Sequence, residues 1–160
     1  MTDLKRLYDE DFVTWAKLQG EALRKTGRAG SSQELDWENI AEEIEGLGSS
    51  QRSALVSHIM RIIQHLVKLE YSPAVEPRNG WRRTIRLARL QAQRRIEDNP
   101  SLEPGLGRFV EAETRRGIEL AIADLEEQGE IDEVEANVLR RARYTEEQVL
   151  GDWFPEEPRG

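Results

Sequence analysis

Cysteine is absent from all 160 residues, and histidine and methionine occur only twice each. Within this chain that excludes a disulfide scaffold, a thiolate zinc site, an iron–sulfur cluster and a cysteine nucleophile. No run approaches the ~18–20 consecutive apolar residues of a membrane span, and the longest candidate is broken by Arg61 and His65. The opening residues, Met1-Thr2-Asp3-Leu4-Lys5-Arg6, have no apolar stretch behind them, so a secretory signal is not expected. A soluble, cytoplasmic protein with no membrane partner is the expectation. The alternating pattern of strands is missing, and no internal repeat is visible. Apolar residues make up 38% of the chain and mean hydropathy is −0.70. At this length folding buries roughly 70% of the surface of the unfolded chain, so a single domain over residues 1–160 can build a core.

Charge is plentiful and unevenly placed. Acids outnumber bases 31 to 23, for a formal net charge of −8. Residues 29–51 hold six acids and no base, and residues 117–139 hold eight acids and no base. Between them, residues 78–96 hold seven arginines and no acid. The chain is three charged blocks on a nearly neutral background.

Periodicity is helical almost throughout. A first helix can start after Asp9 or Asp11, with Phe12, Trp15, Ala16, Gln19 and Leu23 on one face. A second spans Asp36 to Leu47 with Trp37, Ile40, Ile44 and Leu47 inward, and Gly48 reads as its stop. Ser49 or Ser50 then opens a third, to about Glu70, whose apolar residues fill half the wheel. The arginine helix runs from Trp81 to Ile96, with Trp81, Ile85, Ala88 and Ala92 inward. A long helix from Leu102 or Pro104 to Gln128 follows, its face including Leu106, Phe109, Val110, Leu120 and Leu125 and its end set by Gly129. A short helix is expected in 132–143, and a last one at Thr145, where Gln148 completes a capping box and Tyr144 is placed to staple Val149. The expected architecture is an all-α bundle of five to seven helices.

Several motifs resemble one family. They are Tyr8-Asp9-Glu10-Asp11-Phe12 with Trp15, the run Leu35 to Gly48 with Asp36-Trp37-Glu38-Asn39-Ile40 at its head, and His65-Leu66-Val67-Lys68-Leu69. Trp81-Arg82-x-Thr84-Ile85, Asp98-Asn99-Pro100-Ser101-Leu102 and Tyr144-Thr145-x-Glu147-Gln148-Val149-Leu150 complete the set. Together, over about residues 8–155, they resemble the domain-of-unknown-function 29 family. The departure is at 130–143, which reads as an insertion of helical sequence in place of a shorter, proline-containing connection. The resemblance implies a small helical bacterial protein with no established activity, so it leaves function open.

The arginine stripe is the sharpest feature of the residues themselves. Arg82, Arg86 and Arg89 fall within a sector of about 60° on a helix. Glu38, Glu42 and Glu45 repeat the same spacing on the second helix. The match points to carboxylate–guanidinium pairs lacing the two stripes together, in one chain or across a dimer. A row of arginines can also bind phosphates, but a chain at −8 repels a polyanion at long range. Leu87 and Leu90 point away from Trp81, so the arginine helix is apolar on two sides, as in a helix buried on both faces or one at a dimer interface. Trp153 and Phe154 near the end of the chain either dock to pin it or anchor a second protein.

Chemistry has fewer candidates. His58 and His65 lie seven residues apart on one helix, about 10 Å along its axis, which is too far to share one ion without side-chain reach. They are the metal-ligand candidates, and His65 with Glu42 and Glu45 is the candidate for a metal-assisted hydrolase or nuclease. No serine lies in a strand-to-helix nucleophile turn, and Gly105-x-Gly107 has neither the preceding strand nor the lysine of a phosphate loop. No cofactor is expected. The favoured expectation is a non-enzymatic helical interaction module that self-associates as a homo-oligomer or binds a partner protein. A nucleic-acid binder acting through Arg82, Arg86 and Arg89 is the other alternative.

Overall fold

Aspartates start the first two helices. In the computed structural model, which describes residues 3–157, Asp3 accepts hydrogen bonds from the Lys5 and Arg6 amides at 3.1 and 3.2 Å and caps α1 (Leu4–Glu10). Asp11 accepts from the Thr14 amide at 2.9 Å and caps α2 (Phe12–Arg28). Then come α3 (Trp37–Tyr71), α4 (Arg78–Asp98), a 3₁₀ turn (Pro100–Gly105), α5 (Leu106–Glu127), α6 (Glu133–Leu139) and α7 (Glu146–Leu150). The fold is all-α: among the described residues there are seven α-helices and no strand. No helix among them is long and apolar enough to cross a membrane.

Several boundaries differ from expectation: α1 precedes the expected first helix, α4 starts at Arg78 and not Trp81, and α5 starts at Leu106, after a 3₁₀ turn that takes in Leu102 and Pro104. The second and third helices are a single helix of 35 residues, α3, which passes through Gly46 and Gly48 without a break. The positive φ that ends a helix occurs, among the described residues, at Gly30 and Gly129, where α2 and α5 have ended. Gly48 instead serves close approach, since a Cβ built there would lie 2.9 Å from that of Ala16 on α2. Ser49 and Ser50 are not caps. Their hydroxyls donate back to the carbonyls of Glu45 (3.1 Å) and Leu47 (2.7 Å), as serine does inside a helix. Leu47, expected inward, is exposed; the inward line runs through Ala41, Gly48 and Leu55, which are buried. Leu120 on α5 is likewise exposed.

The contacts gather into two compact units, and α3 and α4 contribute to both. The first comprises residues 3–55 and 94–104. Tyr8, Phe12 and Trp15 cluster there edge-on and stacked, with ring centroids 4.9–5.5 Å apart. Asp11 also accepts from the Ser101 amide (2.7 Å) and hydroxyl (2.9 Å), and the Asn99 side chain accepts from the Val13 amide at 3.0 Å.

The second unit comprises residues 56–93 and 105–157. Its core is the half-wheel predicted for α3, with Ile59, Ile62, Ile63, Leu66 and Val67 fully buried. Ile85 and Ala88 of α4, Ile118 and Leu125 of α5, and Val149 of α7 are buried in the same unit. Gly117 lets α5 approach α3, since a Cβ there would meet the Ile63 side chain at 2.8 Å. The capping box at Thr145 forms as expected, and Asp132 with Glu135 makes a second one at α6.

Candidate interaction surface on the arginine helix

Helical geometry divides α4 into three rows. Ile85, Ala88 and Ala92 form the buried row. Arg78, Arg82 and Arg89 form a second, turned toward the chain that follows α7. Leu87 and Leu90, about 60° apart, form the third together with Arg83. The second row is fully engaged. Arg78 is buried and donates to the carbonyls of Leu69 (2.5 Å) and Ser72 (3.3 Å), closing the C-terminal end of α3, and to Glu157 at 2.7 Å. Arg82 pairs with the other oxygen of the Glu157 carboxylate.

Arg89 donates to the carbonyls of Gln148 (2.8 Å), Val149 (2.9 Å) and Trp153 (2.6 Å), so one guanidinium caps α7 and fixes the segment beyond it. Burial lowers the pKa of Arg78 and of Arg89, which an arginine tolerates without losing its charge. Phe154 lies under the guanidinium groups of Arg86 (5.3 Å) and Arg89 (4.8 Å), a cation–π contact that holds the aromatic residue to α4. Trp153 packs 6.3 Å from Tyr144, centroid to centroid.

Within the one chain, these contacts replace the expected pairing of the two stripes. Glu38 and Glu45 are taken by Arg24 of α2, the first at 2.6 Å, and Glu42 is exposed. The Glu38 and Glu45 carboxylates raise the Arg24 pKa. Each charged stripe finds a partner within its own unit, because α2 and the 151–157 segment present one opposite charge at the right register. The row expected to be available to phosphates would first have to release Glu157 and three carbonyls.

The third row is different. Leu87 and Leu90 are 55% and 65% exposed, and Arg83 and Arg86 beside them are exposed as well. Two leucines one turn apart, flanked by arginines, form an apolar strip with a cationic rim.

The imidazoles show no such convergence. His58 and His65 are half-buried, and Nδ1 of His65 lies 2.9 Å from the Arg61 carbonyl, as its donor. Burial lowers the His65 pKa, with Lys68 and Arg61 adding to the effect and the Arg61 carbonyl and Asp124 opposing it. Glu45 is held by Arg24, and no three His, Asp or Glu side chains among the described residues converge as metal ligands would. An open groove of about 700 Å³ beside α5 is lined by Glu111, Thr114, Arg115, Arg143 and Glu146 among others. The Thr114 hydroxyl there is spent on the Val110 carbonyl at 2.7 Å.

A family model for the domain of unknown function DUF29 matches residues 7–154, nearly the whole chain. The chain belongs to the DUF29 family. The DUF29 chain is also similar to the crystal structure of an α-helical protein of unknown function from Rhodospirillum rubrum. That structure is 21% identical, with a TM-score of 0.68 over 92% of this chain and 98% of the other, and the likeness is one of fold. No curated protein matches.

Two motifs that carry the DUF29 resemblance meet in the first unit: Asp11 of the segment 8–15 bonds Ser101 of the segment 98–102. That contact is architectural, joining a helix cap to a 3₁₀ turn. The residues that sequence reasoning missed are Arg78, Arg24 and Glu157. For two of them the signal is present: Arg78 continues the spacing of Arg82, Arg86 and Arg89 by one turn, and Glu157 lies in the acidic sequence Asp152, Glu156 and Glu157 that follows α7.

Proposed function

We propose that this chain is a non-enzymatic helical interaction module that self-associates through the outer row of α4. The observation that carries the reading is the exposure of Leu87 and Leu90 on a helix whose other two rows are already used. Burying the exposed part of each leucine would contribute about 1–2 kcal/mol, and an exposed apolar strip beside arginines supports a site of association. The arginines beside the strip would set which partner fits, more than how tightly it binds.

The test is the mass of the chain by light scattering across a concentration series. Self-association gives a mass above one chain that rises with concentration, and Leu87→Ser/Leu90→Ser returns it to one chain with an unchanged thermal melt. A constant mass of one chain for the unaltered protein rejects the reading.

A further inference from the structure

We infer that the strip on α4 docks on α6 of a second copy of this chain, Leu87 and Leu90 against Val134 and Val138. The inference rests on the proposed self-association and names the surface that meets α4. Helix α6 buries Ala136 and Leu139 within its own unit and leaves Val134 and Val138 72% and 54% exposed on the opposite side. These valines are one turn apart, as are the leucines, so two knobs on one helix can meet two on the other.

Charge selects the pairing. The stretch 78–96 contains no acid and the stretch 117–139 no base. Two α4 strips face to face would set arginine against arginine in either direction, Arg83 meeting its own copy or Arg94, and two parallel α6 faces would oppose Glu133 and Glu135 to themselves. Packing α4 against α6 brings Arg83 and Arg86 to Glu133 and Glu135 beside an apolar centre, whereas two α4 strips bring arginine to arginine. Arg141 follows just after α6 ends, its amide donating to the Val138 carbonyl at 3.1 Å. The orientation that keeps it from Arg83 and Arg86 also sets Glu133 beside them. The two surfaces are different, so each copy offers both; two contacts close a twofold dimer, and contacts that do not close add further chains.

Complementation tests this. In the full chain, Leu87→Asp/Leu90→Asp removes one surface and Val134→Lys/Val138→Lys removes the other. All four positions are solvent-exposed, and circular dichroism melts verify that both variants fold. Each variant alone should be monomeric in sedimentation, and an equimolar mixture should form a complex of two chains, because each supplies the surface that the other lacks. A valine variant that still associates by itself would show α4 meeting α4 and overturn the inference while leaving self-association intact. A mixture that stays monomeric overturns it as well. An unaltered chain that is monomeric at every concentration sinks both this inference and the reading beneath it. As a second measurement, Arg83→Glu should weaken association at least tenfold, and adding Glu133→Arg to the same chain should restore most of it. Equal loss with and without the second change counts against the pairing.

Discussion

At the scale of single residues, polar side chains act mainly as backbone caps. Arg78 closes α3, Arg89 closes α7, and Asp11 opens α2 while holding Ser101. For Asp11, burial pushes the carboxyl pKa up, but hydrogen bonds from Thr14 and Ser101 outweigh it, and the net result is below the ordinary value of 3.8. A carboxyl whose folded pKa is depressed adds stability above its unfolded pKa and loses it as pH falls through the folded one. Asp11→Ala should therefore cost about 1–3 kcal/mol at pH 7, where the partner donors are left unmatched. The gap between the two proteins should narrow as pH drops below the carboxylate range. Urea melts at pH 7 and pH 3 check this, and an equal gap at both would mean that the ionised carboxylate is not what joins α2 to the 3₁₀ turn. His65 titrates in the same sense but higher. Its lowered pKa makes the unfolded chain take up the proton first, so its contribution falls as pH drops through the ordinary histidine value of 6.5.

At the scale of elements, α3 is where pattern and fold part. Gly46 and Gly48 look equivalent in the sequence, yet a Cβ at Gly46 meets nothing within 4 Å, whereas one at Gly48 meets Ala16 at 2.9 Å. Both sit inside a continuous helix. Gly46→Ala should stabilise by about 0.5–1 kcal/mol through the helix interior it improves. Gly48→Ala should destabilise by roughly 1–3 kcal/mol, because α2 must move or Ala16 must yield. Thermal melts of the two variants with opposite signs support this reading, and two stabilising changes would mean that α2 and α3 can separate at no cost. The caps of α2, α5 and α7 are legible, because Asp11, Gly129 and the Thr145 capping box announce themselves locally, as are the buried faces of α4 and, Leu120 excepted, of α5. The Gly48 stop was misread because a glycine needed for close packing and a glycine needed for positive φ are the same letter. The arginine row is legible as an unmet charge, and within the chain it meets Glu157 and backbone carbonyls where the spacing points to the Glu38, Glu42 and Glu45 stripe. Periodicity locates a face on its helix and says nothing of which oppositely charged segment, α2 or 151–157, reaches it first. The outer strip of Leu87 and Leu90 was legible, since two leucines opposite Trp81 have no place in one buried row.

For the whole molecule, charge acts on two length scales. The net charge of −8 makes two copies repel at a distance, while the acidic and basic blocks attract where they touch. At 0.01 M salt the Debye length is about 30 Å, so the repulsion acts well before contact; at 0.15 M it is about 8 Å, and little of it survives. Contact pairs such as Arg83 with Glu133 act at only a few ångströms, within either screening length. If the association runs through α4 and α6, raising salt from 0.01 to 0.15 M should strengthen it several-fold, since repulsion is screened before the contact is. Between 0.15 and 1 M, where the Debye length falls to about 3 Å, the charged flanks are screened as well, and association should level off or decline while the apolar centre persists. Sedimentation equilibrium at the three salt concentrations provides the measurement. A steady weakening from the lowest salt upward would place the binding free energy in charge pairs alone, with Leu87, Leu90, Val134 and Val138 contributing nothing to the contact.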